Sequence, residues 1–238
     1  MSAKPLFVLS PRLAMCASFV RRGCRMADIG TDHAYLPVWL VKSGYIKSAV
    51  AADIRPGPLE NGRRTIQTYH VQRQVSTRLT DGLLQISPEE CDDIVIAGMG
   101  GELIVKILSS APWIRDPQKR LILQPMSKAE VLRGYLFQNG FDILQEKAVL
   151  SEGKLYTVLQ CAYTGMSYRT DPALLYCGRL QPLQNEVDKS YIAQAIRRLQ
   201  RKAFGLSQAG QKTQAAQVMQ YIESIQQILE GKKKCPQP

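Results

Sequence analysis

Three aspartates lie at or near the ends of short predicted strands in the first half of the chain. Asp28, Asp53 and Asp81 close or directly follow the segments 26–29, 48–53 and 75–79. Open parallel sheets bind ligands at the carboxyl ends of their strands, so the three carboxylates are predicted to face one ligand. Asp53 lies 25 residues after Asp28, and a carboxylate at about this spacing accepts hydrogen bonds from both ribose hydroxyls of an adenosine cofactor. Asp81 could then hold the adenine amino group.

Glycine accompanies the first carboxylate, where a ligand must approach the backbone. Gly30 follows Asp28 just before a predicted helix, whose amino end favours ligand binding. The full G-x-G-x-x-G pattern is absent, so the pyrophosphate of NAD would lack its glycine cradle. S-adenosylmethionine has no pyrophosphate, so the series of three aspartates favours this cofactor. The first loop would bind its methionine end, the second strand its ribose and the third strand its base. Each aspartate alone also fits an N-cap or a turn.

A second glycine cluster follows the fourth predicted strand. Residues 96–101 read Ile-Ala-Gly-Met-Gly-Gly. Glycine is unfavourable where nothing requires it, so the cluster favours a place where substrate reaches the cofactor sulfonium. A tight turn between strand and helix is the alternative. Residues 124–126, Gln-Pro-Met, end the fifth strand on the same rim, where a turn is again the alternative.

Strands and helices alternate through the first 140 residues and must position these side chains. Strands are predicted at 26–29, 48–53, 75–79, 93–97 and 119–124, with helices at 35–43, 59–69, 102–109 and 128–139. A helix opened by Ser10 and Pro11 precedes them. The pattern predicts an α/β fold with a doubly wound parallel sheet. Two final strands, 142–150 and 156–162, are joined by a Ser-Glu-Gly turn and predict an antiparallel edge hairpin.

The composition changes after Gly165, which predicts a domain of residues 1–164 and a second region of residues 165–238, with a linker near 164–183. Apolar residues recur at helical spacing in 187–206 and 212–229. The two segments predict a C-terminal α-helical hairpin, a short antiparallel coiled coil. The face of the first helix opposite its apolar stripe carries four cations, Arg197, Arg198, Arg201 and Lys202.

Positive charge is concentrated at the two ends of the chain. The net charge is +11, with five basic residues and no acid in 1–27, and 11 basic against five acidic residues in 166–238. This distribution fits a polyanion held by flanking surfaces, although solubility alone explains it equally well. Six cysteines without C-x-x-C spacing and two histidines predict no metal site, and reduced thiols that pack as small core residues. The sequence contains no apolar run of transmembrane length, which predicts a cytoplasmic protein.

Three strings together resemble one known family. They are Ala27-Asp28-Ile29-Gly30-Thr31-Asp32-His33-Ala34-Tyr35-Leu36-Pro37, residues 96–101 and Leu123-Gln124-Pro125-Met126. They resemble the bacterial tRNA (adenine-22-N1)-methyltransferase family over roughly residues 6–163, and the helical hairpin resembles it by architecture. The resemblance implies a Rossmann-like class I SAM-dependent methyltransferase sheet, S-adenosyl-L-methionine as cofactor, tRNA as partner and a C-terminal coiled-coil region.

The resemblance also implies which residues line the cofactor cleft. The expected cofactor-binding residues are Asp28, Gly30, Thr31, His33, Asp53, Ile54, Asp81, Gly82, Ala97, Gly98, Met99 and Gly100. The Asn/Asp-Pro-Pro-aromatic clamp of many amino-directed methyltransferases is absent after strand four. Its absence suits a ring nitrogen as the target. Tyr35 is the candidate that stacks on the base, with core packing as the alternative, and Arg12 and the four cations of the first helix are the other candidates for RNA contact.

Methylation of adenine N1 needs no base to generate the nucleophile, because the N1 lone pair is already free. The product is cationic, so a fixed carboxylate would stabilise the transition state. Asp32 is the candidate catalytic residue, and capping of the following helix is its alternative role. The target base must also be unpaired or flipped out, since pairing buries N1.

Two rival classes remain open from the sequence. An NAD-linked oxidoreductase on the same fold is disfavoured by the missing glycines and by the lack of a Tyr-x-x-x-Lys pair in the sheet region. A non-catalytic RNA-binding protein with a relic SAM site is disfavoured because an unused site needs no three aligned carboxylates. A monomer without a stable protein partner or membrane association is expected.

Overall fold

A computed structural model describes residues 5–167 and 171–232, and its centre is a seven-stranded sheet. The strands are β1 Arg25–Ile29, β2 Ser48–Asp53, β3 Val75–Leu79, β4 Asp93–Gly100, β5 Arg120–Ser127, β6 Phe141–Ser151 and β7 Lys154–Tyr163. Their order across the sheet is β3-β2-β1-β4-β5-β7-β6. Strand β7 runs antiparallel to its neighbours β5 and β6, and the other six strands of the sheet share one direction. The predicted parallel sheet with an antiparallel edge hairpin is confirmed.

The helices are α1 Pro11–Phe19, α2 Tyr35–Lys42, α3 Pro56–Thr68, α4 Gly101–Ser109, α5 Ala129–Gln138, α6 Pro172–Cys177, α7 Glu186–Gln208 and α8 Lys212–Leu229. Single 3-10 turns occur at Pro88–Glu90 and Pro112–Ile114. Ser10 caps α1 as predicted. Helix α6 falls in the predicted linker and was not predicted. Its start signals are nevertheless present, since Pro172 is its first residue and Asp171 Oδ1 accepts a hydrogen bond from Ala173 N–H at 2.7 Å.

Alternate residues of the central strands enter two different apolar cores. Ile94 and Ile96 of β4 pack with side chains of α4 and α5 on one face of the sheet. Val95, between them, packs on the other face with side chains of α1 and α2. Successive side chains of a strand point to opposite faces, so a strand covered on both faces is apolar throughout. The carboxyl ends of β1 and β4 are therefore held by packing on both sides.

Helices α7 and α8 form the predicted helical hairpin, joined by residues 209–211. Their apolar sides face each other, and α7 also packs on β6 and β7. The buried carboxylate of Asp188 fastens the base of α7, because its two oxygens accept hydrogen bonds from Ala148 N–H at 2.8 Å and Gln181 N–H at 2.9 Å. The division at residue 164 stays a prediction. Among the described residues, no helix combines the length and the apolar character needed to cross a membrane.

A buried ion pair between α5 and β6 anchors the segment that leads into the helical hairpin of α7 and α8. Arg133 of α5 and Glu146 of β6 are 1% and 0% exposed, and Nη2 lies 2.6 Å from Oε1. Thr157 Oγ1 donates to the same carboxylate, as does Arg179 N–H at 2.9 Å. Arg133 Nη1 donates to Leu175 O at 2.7 Å. Helix α6 and the residues after it are thus held on the sheet by a charge-assisted network.

Candidate active site

Two buried carboxylates lie at the carboxyl ends of adjacent strands. Asp28 is 8% exposed near the end of β1, and Asp53 is 7% exposed at the end of β2. The parallel register pairs Asp28 with Ala51, so Asp53 extends just beyond it at the same edge. Asp81, which follows β3, is exposed at this edge of the sheet. The structure therefore brings the three predicted aspartates to one edge, two of them in the interior.

Burial changes the protonation of Asp28. Desolvation is the main cause that raises the pKa of its carboxyl from 3.8 to about 6, and the nearby charge of Asp53 adds to it. A hydrogen bond from Thr31 and the positive charge of Arg12 act in the opposite direction without cancelling the shift. The buried carboxyl of Asp28 is only partly compensated, which makes this edge favourable for a cationic ligand group.

The loop after β1 turns sharply around Gly30. Gly30 has a φ of 81°, and the N–H groups of Gly30 and Thr31 donate to Ala52 O at 2.8 and 2.9 Å. A Cβ on residue 30 would overlap the methyl group of Met99. Only glycine combines this backbone conformation with the close approach of the loop after β4. The predicted cofactor residues Gly30, Thr31 and Met99 thus lie together.

Asp32 does not cap the helix that follows it. Helix α2 begins after Ala34, which has a φ of 53° and no side-chain capping hydrogen bond. The N–H of Ala34 instead donates to Thr31 Oγ1 at 3.1 Å. The Asp32 side chain is 69% exposed, with Oδ2 3.4 Å from His33 Nε2. Its alternative role as a helix cap does not hold, and the carboxylate is available to a substrate.

Tyr35 lies on the surface beside this carboxylate. It is 42% exposed, and its ring stacks on His33 with centroids 5.0 Å apart and planes 11° apart. Its other neighbour is Phe7, at 4.9 Å between centroids. Core packing therefore does not describe Tyr35, whose contact with the base stays a prediction.

Gln124 organises the loop after β4 and was not among the predicted site residues. Its side chain is 0% exposed, and Oε1 accepts hydrogen bonds from Gly98 N–H at 3.1 Å and from Arg12 Nη1 at 2.8 Å. Gln124 Nε2 donates to Pro125 O at 3.0 Å. The available signal was a polar residue that ends an apolar strand. Arg12, predicted to contact RNA, thereby lies against the loop after β4, with Nη1 3.6 Å from where a Cβ on Gly98 would be.

The other predicted residues are distributed around this edge and on α7. Gly82 is buried with a φ of 57°, Ala97 and Gly100 are half-buried, and Ile54 is 59% exposed. The four cations of α7 are exposed on a helix that packs on β6 and β7, so they are remote in the sheet order from β1 and β2. Within residues 5–167 and 171–232, no cluster of three or more His, Cys, Asp or Glu could hold a metal ion.

The cysteines do not take part in this site. Five cysteines are buried, at Cys16, Cys24, Cys91, Cys161 and Cys177. Burial raises the pKa of Cys16, Cys24 and Cys91 to about 12. These thiols are therefore protonated and unreactive at neutral pH. Cys235 lies outside the described residues.

The sheet and the site define the class of protein. A dinucleotide-binding sheet has the order 3-2-1-4-5-6, whereas here the antiparallel strand β7 is inserted between β5 and β6. The first loop offers carboxylates and no glycine cradle for a pyrophosphate. The arrangement is that of a class I SAM-dependent methyltransferase, and residues 9–159 match the family described as "Methyltransferase domain".

Known relatives narrow the class. The tRNA (adenine(22)-N(1))-methyltransferase of Bacillus subtilis (strain 168) is 37% identical over 166 residues, which cover 67% of this chain and 70% of the relative. The crystal structure of the B. subtilis M1A22 tRNA methyltransferase TrmK has a TM-score of 0.80 at 31% identity, with 95% and 99% of the two chains covered. Streptococcus pneumoniae Sp1610 in complex with S-adenosyl-L-methionine has a TM-score of 0.77 at 30% identity, with 92% and 99% covered. The chain belongs to the tRNA (adenine-22-N1)-methyltransferase family.

Proposed function

We propose that this chain transfers the methyl group of S-adenosyl-L-methionine to N1 of adenine 22 in bacterial tRNA, and that it acts in the cytoplasm as a monomer. The observation that carries the proposal is the pair of buried carboxylates, Asp28 and Asp53, at the carboxyl ends of β1 and β2. The family relationship gives the reaction its substrate. Neither an NAD-linked oxidoreductase nor an RNA-binding protein with a relic cofactor site is favoured. The order of the strands, the carboxylates at the strand ends and the relatives all agree with a methyltransferase.

The residues present fit the cofactor group by group. Asp28 would hold the cationic ammonium of the methionine end, which matches the buried charge at β1. Asp53 Oδ1 accepts a hydrogen bond from Arg55 N–H at 2.8 Å, which fixes the carboxylate and leaves Oδ2 for the ribose hydroxyls. Asp81, Gly82 and Ile54 would contact the adenine. The remaining predicted cofactor residues lie in the loops after β1 and β4.

The reaction is a direct displacement. S-adenosylmethionine supplies the methyl group on its sulfonium, so a bond forms between N1 and the methyl carbon as the bond to sulfur breaks. Asp32 stabilises the positive charge that grows on the purine and orients the exocyclic amine. Gln124 and Arg12 hold the loop at Gly98, where the base enters. Tyr35 supplies an exposed ring for stacking on the flipped base.

The ribose contact predicts a loss of cofactor affinity in Asp53→Ala. The charge-assisted hydrogen bonds at stake are worth roughly 1.5 to 3 kcal/mol, so the dissociation constant should rise by about 10- to 150-fold while the protein stays folded. Calorimetric titration with S-adenosylmethionine measures it. Asp116→Ala is the matched control, because Asp116 Oδ1 accepts Gln118 N–H at the same 2.8 Å and in the same i+2 relation. Equal affinities in the two variants would remove Asp53 from the cofactor site.

The raised pKa of Asp28 predicts a pH-dependent affinity for S-adenosylmethionine. The carboxyl has a pKa of about 6 in the free protein, so it is charged at pH 7.5 and mostly neutral at pH 5. An ammonium group binds the charged form, and the affinity should therefore fall by about tenfold between these pH values. Calorimetry at both pH values measures this. Asp28→Asn should bind more weakly at pH 7.5 and lose the pH dependence, and an identical pH profile in this variant would contradict the assignment.

The basic face of α7 is proposed to grip the tRNA backbone. Four like charges on one exposed face repel one another, so a helix with only a structural role gains nothing from them. Replacing all four by Ser should weaken tRNA binding and lower its log–log salt slope by up to about four units. Cofactor affinity and helicity should not change. The residues replaced are Arg197, Arg198, Arg201 and Lys202.

A control of equal charge loss separates local from general electrostatics. Four exposed cations elsewhere on the surface are replaced by Ser, namely Lys42, Lys47, Arg73 and Lys154. If both quadruple variants lose the same salt slope, the charge of the whole protein holds the tRNA and α7 has no special role.

A further inference from the structure

A second concave surface lies beside the candidate active site. It is a cleft of about 640 Å³ between the segment that precedes α1, the start of α2 at Tyr35 and the last turns of α3. Cavities of this volume accommodate small ligands. None of the roles described so far uses it, apart from Tyr35 at its border.

Four aromatic rings form a continuous path from Asp32 into this cleft. His33 stacks on Tyr35, and the Tyr35 ring centroid lies 4.9 Å from that of Phe7. Phe7 in turn lies 5.1 Å from Tyr69, edge to face. Each ring packs on the next, so their orientation is fixed before any ligand binds. Tyr69 is buried, Phe7 is half-buried and Tyr35 is exposed, so exposure to solvent increases along the path from Tyr69 to Tyr35.

The polar groups of the cleft favour an anionic ligand and offer few hydrogen bonds that could distinguish one nucleotide base from another. Among the described residues that line it, Arg64 is the one that is charged, with a side chain 73% exposed and Nε 3.8 Å from Glu60 Oε1. An exposed pair of this kind is weak and leaves the guanidinium available. Thr65 and Thr68 donate their hydroxyl protons to backbone carbonyls of α3, at 3.2 and 2.7 Å. The cleft therefore presents rings and one cation rather than groups that read a base edge.

We propose that this cleft binds an unpaired tRNA nucleotide next to the target adenine, with its base packed on the ring of Phe7 and its phosphate at Arg64. Rings combined with a cation are the means by which proteins hold single-stranded nucleic acid without sequence preference. The inference rests on the proposed function, since extruding the target adenine also exposes its neighbours. Continuity with Asp32 through His33 and Tyr35 places this nucleotide beside the reacting base.

Two variants and one control test the subsite. Phe7→Leu keeps an apolar side chain and removes the ring face, and the KM for tRNA should rise by about tenfold. Arg64→Gln should raise it by about threefold and lower the salt slope by about one unit. The control is Arg63→Gln, because Arg63 is also exposed on α3 and lies 3.3 Å from Glu60 but does not line the cleft. It should behave as the unaltered protein, and all three should keep normal affinity for S-adenosylmethionine.

A single-stranded RNA pentanucleotide serves as a direct probe. It should compete with tRNA for the unaltered protein and compete less well for Phe7→Leu and Arg64→Gln. If both variants match Arg63→Gln while the unaltered protein methylates adenine 22, the subsite is wrong and the proposed function stands. If the unaltered protein methylates no tRNA, both proposals fail. A dimer that Phe7→Leu dissociates would make the cleft a contact between copies and would overturn the inference.

Discussion

Asp32→Asn is expected to bind S-adenosylmethionine normally and to transfer the methyl group about 10² to 10³ times more slowly. The amide keeps the shape of the side chain and removes the negative charge that stabilises the cationic purine. The structural role that competed with this assignment is excluded by geometry, since α2 has no side-chain cap and Asp32 is 69% exposed. Replacing the exposed carboxylate of Asp32 by an amide should leave the fold unchanged.

Single-turnover methylation at saturating tRNA and cofactor isolates this step. Glu102→Gln is the control, because Glu102 is also an exposed carboxylate shortly after a strand, although it lies in the first turn of α4 and pairs with Lys128 at 2.6 Å. Its rate should be near that of the unaltered protein. A rate for Asp32→Asn equal to that of the control would show that the charge of Asp32 does not act in the transition state.

Arg133→Met is expected to lower the free energy of unfolding by about 3 to 5 kcal/mol. Burial opposes the charge on Arg133, but the Glu146 carboxylate and Tyr191 together outweigh burial and raise the pKa of Arg133 above its ordinary value. The variant leaves Glu146 buried without its cation, and Leu175 O loses its donor. Because the same network fixes the segment before α7, the helical hairpin should also become more accessible to proteolysis.

Urea denaturation at neutral pH measures the change, and two further variants define its origin. Arg133→Met combined with Glu146→Leu should recover part of the stability, because no buried charge is then left alone. Glu186→Gln breaks the exposed pair with Lys189 on α7 and should cost less than about 1 kcal/mol. A loss in Arg133→Met as small as in Glu186→Gln would show that the buried pair contributes little.

The sheet and the hairpins were predictable because their signals are local. Strand β2 begins and ends at the predicted residues, 48 and 53, since an apolar segment between polar loops determines both ends. Helix α6 was missed because a helix of six residues is too short to show a clear helical periodicity of apolar residues. Asp171 and Pro172 nevertheless marked its start. Strand β4 runs three residues further than predicted, because Met99 and Gly100 continue to pair with β5 in a shifted register.

Only those site residues that lie at the ends of predicted strands could be predicted from the sequence. Asp28 and Asp53 follow from the sheet edge, but the raised pKa of Asp28 depends on burial, which no spacing indicates. The role of Gln124 depends on Arg12, 112 residues away in the chain. The path from Tyr35 to Tyr69 depends on Phe7, which belongs to no regular element. Contacts between distant segments have no sequence period, so they required the structure.

Mapping the methylated atom tests the proposed function most directly. The protein is incubated with unmodified tRNA that carries adenine at position 22 and with methyl-labelled S-adenosylmethionine, and the product is digested and sequenced. The expected result is one label, on N1 of adenine 22. Methylation at this atom should be slower in Asp32→Asn and should require higher cofactor concentrations in Asp53→Ala. No label, or a label on another atom or at another position, would contradict the assignment.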